Sequence, residues 1–266
     1  MIKTNFHTHT VRCKHAEGSD EDYVLKALEY GLVELGFSDH SPWPYHSLDS
    51  RNIRMDISQM EDYVQHVQML KRQYANRIHI HLGIEAEYYE ARIDQLRELI
   101  TKYDLEYVLL GNHFHEFETR GRYYGAYADI ENLYRDYEHD SIKAMETGLF
   151  DCFAHPDLFC RSLKEWTPQA QEMSERILRK AKELNIPIEY NLGGLRNHYS
   201  ELNYPYIKFW EIAAKVGNEV IIGVDAHSPW DLVDSSSIDA AEKTLSSLGI
   251  IPIEFLKIKK KVNALR

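Results

Sequence analysis

An α/β barrel of parallel strands is the fold this sequence predicts, and three observations predict it. Short β-rich runs alternate with longer runs of helical spacing seven times over. No Pro/Gly/Ser-rich linker or low-complexity stretch breaks the alternation, and metal-binding residue types fall at the ends of the strand runs. Strand and helix in succession give parallel strands joined by right-handed crossovers. Functional side chains collected at strand ends are what a closed or nearly closed barrel presents at its C-terminal rim. The 266 residues are read as one domain, 1–266.

The first strand run is KTNFHTH. Alternate side chains on a strand share a face, so Phe6 and Thr8 point one way and His7 and His9 the other. In SDEDYVLKALEYG, Ser19 is the N-cap, Asp22 holds the capping-box position, Val24, Ala27 and Leu28 share a face, and Gly31 stops the helix. The second run, LVELGFSDH, closes on Asp39 and His40. After it, DISQMEDYVQHVQMLKRQY spaces Ile57, Met60, Val64, Val67 and Leu70 as one helical face. The third run, IHIHLGIEAE, closes on Glu85 and Glu87, and ARIDQLRELITKY follows with Ile93, Leu96, Leu99 and Ile100. The fourth, EYVLLGNHF, brings His113 and then His115, with a helix from near Ile130. The fifth, DCFAHP, ends at His155, and its helix follows Thr167 with Pro168 in the first turn. The sixth, IPIEYN, runs into NLGGLR and a helix near Tyr206; the seventh, EVIIGVDAH, ends on Asp225 and His227 before a helix near Ser237.

Hydrophobic residues make up 44% of the chain, ample for a core, and 31 basic against 42 acidic residues leave a net charge of -11. That balance argues against a nonspecific grip on long nucleic acid or on an anionic membrane. No apolar run nears the roughly 18 residues that span a bilayer, and the N-terminus has no signal-peptide pattern, so a cytoplasmic protein is expected. Cys13, Cys152 and Cys160 are odd in number and lack CxxC spacing, which fits neither a disulfide framework nor a zinc ribbon. Cys152 reads as a small core residue; Cys13, beside His15, could approach a metal. The KIKKK run reads as a solvated, charged end.

Each polar strand end has a plain reading alone: a turn at His155-Pro156, a helix cap at Asp225, a solvated histidine. Together they would bury many ionisable groups at one rim without partners, which is costly unless cations compensate. Nitrogen and oxygen donors suit Zn, Mn or Fe. One ion takes about four to six ligands, so the nine candidates imply two or three divalent ions.

The motifs HTH at His7 and His9, His15, DH at Asp39 and His40, GIE ending at Glu85, NH at His113, AHP at His155 and DAH at Asp225 and His227 span residues 7 to 227 in order. In this they resemble the polymerase-and-histidinol-phosphatase (PHP) superfamily of metal-dependent phosphoesterases. The resemblance implies a distorted seven-stranded (β/α)7 barrel, TIM-barrel-like with outer helices, and a trinuclear metal centre. It implies His7, His9, Glu85 and Asp225 on one metal, Glu85 bridging to a second held by His113 and His155, and a third on His15, His40 and His227. The length and NLGGLR resemble the histidinol-phosphate phosphatase branch. That branch implies hydrolysis of L-histidinol phosphate to L-histidinol and phosphate in histidine biosynthesis.

Monoester hydrolysis needs a nucleophile, charge neutralisation and a proton for the leaving oxygen. Metal ions supply the first two, because the pKa of bound water can fall from about 15.7 to about 7, so metal-bound hydroxide is the expected nucleophile. Arg161 and Arg196 follow the fifth and sixth strand ends and are candidates for forked phosphate contacts, against the plain reading of loop arginines. NLGGLR lacks the Lys and Ser/Thr of a P-loop; its glycines are read as making room and Arg196 as reaching into the mouth. His115, expected on the face of His113, would bind phosphate or protonate the leaving oxygen. Glu116 and Glu87 would meet the cationic end of a small phosphorylated amino-alcohol. The alternatives are a phosphodiesterase or nuclease acting on short nucleic acids or nucleotides, an amidohydrolase with one or two metals, and a noncatalytic binding protein. In SPWPYHSLDSRN, Trp43 and His46 would line the entrance or lie on ordinary surface. The sequence carries no sign of an oligomeric state.

Overall fold

The computed structural model describes residues 2–43, 53–116, 122–197, 200 and 202–259; His46 and the end of the KIKKK run lie outside them. All seven expected strand runs form strands of one parallel sheet: β1 (Thr4–Asn5), β2 (Glu34–Phe37), β3 (His79–Ala86), β4 (Tyr107–Gly111), β7 (Cys152–Ala154), β8 (Ile188–Asn191) and β9 (Val220–Gly223). They lie in that spatial order, and every neighbouring pair is parallel. The first and last strands share no ladder. A single bridge, Thr8 to Ala226, joins the two ends, with Ala226 N donating to His7 O at 3.1 Å and His9 N to Ala226 O at 2.9 Å. The barrel is therefore nearly closed, as expected.

The two faces of the strands bury different partners. Outward residues such as Ile80, Leu82, Ile84, Val108 and Leu110 join the main core under the helices. Inward residues Phe6, Tyr107, Leu109, Cys152, Ala154 and Ile221 fill the barrel, joined by Leu256 from the C-terminal segment. Cys152 is thus the small core residue its strand suggested. The long helices are α1 (Asp20–Tyr30), α2 (Met60–Gln73), α3 (Ile93–Tyr103), α4 (Ile130–Glu146) and α5 (Pro168–Glu183), completed after the short α6 (Leu192–Arg196) by α7 (Ile207–Val216) and α8 (Ser235–Ser247). Ser19 and Asp22 make the reciprocal cap of α1, and Gly31 ends it in the left-handed region at φ 94, where glycine pays no steric penalty. Met60, Val64, Val67 and Leu70 are buried as their spacing requires, but Ile57 falls in a 3-10 turn ahead of α2 and is exposed. No helix among the described residues is long and apolar enough to cross a membrane.

A two-stranded antiparallel hairpin of β5 (Phe114–His115) and β6 (Arg122–Tyr123) stands outside the barrel sheet. Its register pairs Phe114 with Tyr123 and His115 with Arg122. Cross-strand partners project to the same side, so one face carries the two rings and the other carries His115 and Arg122.

Candidate metal centre

All nine residues expected as ligands meet at the C-terminal rim. The chain beyond β1 brings His7, His9 and His15; that beyond β2 brings His40; β3 itself supplies Glu85; and the segments after β4, β7 and β9 bring His113, His155, and Asp225 with His227. His7 Nε2 and His9 Nε2 are 3.1 Å apart. Asp225 Oδ1 lies 3.4 Å from the first and 3.2 Å from the second; Glu85 Oε2 lies 3.4 and 3.6 Å from them. Donors about 2.0–2.1 Å from a tetrahedral ion stand roughly 3.3 Å from one another, so these four atoms have the spacing of a single coordination shell. The other oxygen of Glu85, Oε1, faces His155 Nε2 at 2.8 Å and His113 Nε2 at 3.3 Å. His15 Nε2 and His227 Nε2 approach to 2.9 Å, with His40 completing a third group.

The groups behind the imidazoles turn them. Glu189 Oε1 lies 2.8 Å from His7 Nδ1, Glu87 Oε1 2.9 Å from His113 Nδ1, and the carbonyl of Cys13 2.8 Å from His15 Nδ1. Asp39 stands behind His9 at 3.6 Å. A carboxylate or carbonyl at Nδ1 accepts a hydrogen bond from that ring N–H, fixes the tautomer and leaves the Nε2 lone pair for an ion. Sequence reading missed Glu189, whose signal was a glutamate in the middle of the apolar strand IPIEYN. It is 2% exposed and also accepts from His155 N and Asn191 Nδ2.

The donor set fits divalent cations on a further observation. Glu85 Oε2 and His40 Nδ1 are buried 3.0 Å apart without a hydrogen bond between them or to any other described residue, and such groups are expensive unless an ion or water satisfies them. Burial works against the charge of Glu85, but His113, His7 and His40 outweigh it and hold the carboxyl well below its usual range. Asp225 is held low in the same way by His7, His9 and His227. Burial, helped by His9, brings His227 down to about 3, a neutral donor at neutral pH. Cys13 is buried beside His9 and His227, and burial pushes its thiol up.

Close approach explains two glycines. A Cβ at Gly111 would sit 2.3 Å from Glu85 Oε1, and one at Gly193 would sit 2.6 Å from Asp225 Oδ2. The sequence reading of room-making glycines therefore holds for Gly193, but NLGGLR is helix α6, capped by Asn191 Oδ1 accepting from Gly194 N at 3.2 Å.

Several expected substrate contacts are placed elsewhere. Arg196 does not reach into the mouth: its Nη2 donates to the carbonyls of Val224 at 2.7 Å and Asp225 at 2.9 Å, and its Nε lies 3.3 Å from Asp231. Asp225 has φ 53, a conformation that costs a non-glycine residue about 1–3 kcal/mol and persists only where its surroundings hold it. Arg196 is one of the groups that hold it. Arg196→Ala is accordingly expected to lower metal affinity by about 10–100-fold, the usual effect of losing a support behind a ligand. Metal analysis after dialysis checks this; full metal content with weakened substrate use alone would contradict it.

His113 and His115 do not share a face, because the chain turns after β4 and enters the hairpin. His115 Nδ1 instead meets Asp140 Oδ2 at 3.0 Å, in a separate recess of about 330 Å³ that Glu116 also lines. Glu87 is fully buried, bound by Arg54 at 2.7 Å and by the indole of Trp43 at 3.0 Å. It is not open to a substrate amine, and Trp43 is a core residue rather than part of the entrance. Arg161 donates to Asn203 Oδ1 at 2.8 Å and lies over the Tyr204 ring, 4.4 Å from its centroid.

Seven of the nine expected ligands, all but His7 and His9, line a cavity of about 460 Å³ whose other described walls are Ile53, Phe114, Tyr123, Ala126, Leu158 and Tyr204. A wider recess of about 780 Å³ beside Pro42, Ile57 and α3 is lined by no imidazole among the described residues. The chemistry therefore belongs to the smaller one.

Comparison with known proteins bears on this site. A model of the PHP domain matches residues 5–193. The "Probable histidinol-phosphatase" of Deinococcus radiodurans is 28% identical over 238 residues, 85% of this chain and 86% of that protein. The "Histidinol-phosphatase" of Bacillus subtilis is 24% identical over 262 residues, covering 87% and 96%. Among solved structures, histidinol phosphate phosphatase from Lactococcus lactis, determined with zinc, L-histidinol and phosphate, superposes with a TM-score of 0.75 at 19% identity, over 97% of this chain and 99% of that one.

Proposed function

The chain belongs to the PHP domain family, and on that premise we propose that it is a metal-dependent phosphatase of small phosphomonoesters, with L-histidinol phosphate as its substrate. The observation that carries this reading is the convergence of nine imidazole and carboxylate side chains at one rim, seven of them lining a cavity of small-molecule size. The curated relatives named above are phosphatases by name, and two bear the histidinol-phosphatase name over most of their length.

His7, His9, Glu85 and Asp225 would hold one ion. The second oxygen of Glu85, with His113 and His155, would hold another, and His15, His40 and His227 a third. Bound there, divalent cations would lower the pKa of water and neutralise the charge of a phosphate ester. The protein's own part is to fix these donors: Glu189 sets the imidazole of His7 and Glu87 that of His113, and Arg196 sets the backbone of Asp225. The described wall of the cavity offers no serine or cysteine nucleophile.

Phosphate release from L-histidinol phosphate by the zinc- or manganese-loaded protein is the test, run beside a dinucleotide, an amide panel and a no-enzyme control. Turnover of the monoester, lost on chelation and restored by metal, is expected. Activity that survives verified metal removal, or cleavage of the dinucleotide or the amides in its place, would overturn the proposal.

A further inference from the structure

Beyond the ions, the cavity has a second built part that faces the alcohol half of the substrate. Tyr123 and Phe114 are cross-strand partners on the cavity face of the hairpin, their ring centroids 5.4 Å apart. Tyr204 stands on the His155 side of the cavity, its ring 5.8 Å from that imidazole. Each tyrosine is seated against a glycine. A Cβ on Gly125 would meet the Tyr123 ring at 2.6 Å, and one on Gly194 would meet the Tyr204 carbonyl at 2.1 Å and its ring at 2.4 Å. Arg161 ties the two walls, stacked on Tyr204 and 3.4 Å from Tyr123 Oη. Among the described residues, no lysine, arginine or carboxylate other than Glu85 and Asp225 lines the cavity. A leaving group whose phosphate is held at the ions therefore meets rings and aliphatic carbon.

Resting on the phosphatase reading for the phosphate end, we infer that Tyr123, Phe114 and Tyr204 form an aromatic clamp selecting phosphomonoesters whose alcohol carries a planar ring. Flat rings pack face-offset or edge-on against such walls and gain more than their buried area alone supplies. A ring-less alcohol of similar size leaves the walls unfilled. The substrate class is thus an aryl- or heteroaryl-bearing monoester, of which an imidazole-bearing amino-alcohol phosphate is one member.

Turnover alone would confuse recognition with leaving-group reactivity, because a phenol leaves more readily than an alkyl alcohol. Binding of unreactive probes to the zinc-loaded protein separates them: phenylphosphonate against methylphosphonate, by calorimetry. The wild type should bind the phenyl compound at least about tenfold tighter, the equivalent of one or two good ring contacts. Tyr204→Leu should close most of that gap while leaving methylphosphonate binding and zinc content unchanged, and Tyr204→Phe should keep the gap. Equal binding of the two probes by the wild type, or loss of both together in Tyr204→Leu with zinc retained, overturns the clamp. If Tyr204→Leu does not fold, Tyr123→Leu carries the same comparison. Ring discrimination without hydrolysis of any monoester would sink the phosphatase reading and leave the clamp standing.

Discussion

Glu85→Gln should reduce turnover about a thousandfold or more while the fold survives. The carboxylate is 1% exposed and divides its oxygens between two donor sets, Oε2 toward His7, His9 and His40 and Oε1 toward His113 and His155. Glutamine keeps the volume but removes the charge and turns an NH2 toward one of those sets, so one proposed ion would lose a ligand and the other would keep only a neutral oxygen. Metal ions supply several kcal/mol of charge stabilisation in such reactions, and each 1.36 kcal/mol is tenfold in rate; about 4 kcal/mol gives the expected loss. The check is kcat at saturating zinc, beside metal analysis and circular dichroism. A Glu85→Gln protein that keeps its ions and its rate would show that this carboxylate bridges nothing.

Chelation should lower the melting temperature by about 10 °C. An ion present at about a thousand times its dissociation constant adds about 4 kcal/mol to the folded state, and a chain of this size shifts by roughly 2–4 °C per kcal/mol. Without ions, Glu85 Oε2 and His40 Nδ1 stay buried without a hydrogen-bond partner among the described residues, so removal exposes the full cost of burying them. Calorimetry before and after extensive chelation measures the shift. An unchanged transition in protein verified to be metal-free would mean that the cluster is satisfied from within.

The strands and the meeting of the nine donors were readable because both depend on local pattern. Apolar runs such as EVIIG mark themselves as strands, and a parallel barrel carries every strand end to the same rim whatever the details. What the sequence hid depends on contacts between distant segments. Arg196 was expected in the mouth because nothing in NLGGLR shows that its guanidinium would meet carbonyls 28 and 29 positions later. His115 was placed beside His113 by assuming that β4 continues, whereas the chain turns into a hairpin whose strands are two residues each, too short to show a period. Glu189 was overlooked because one acid in an apolar strand resembles many surface positions until the inward phase of the strand is known. Tyr123 and Tyr204 had no signature at all, since only the folded cavity brings them opposite each other.

The junction between the first and last strands carries one more consequence. Its two backbone hydrogen bonds belong to His7, His9 and Ala226, so the clasp that shuts the ring is cut from the same short stretch that carries two of the proposed metal ligands. Emptying the pocket should loosen that clasp before any other part of the barrel, with the amides of His9 and Ala226 exchanging with solvent sooner than those of β3 or β4. The molecule thus reports its loading through its own perimeter.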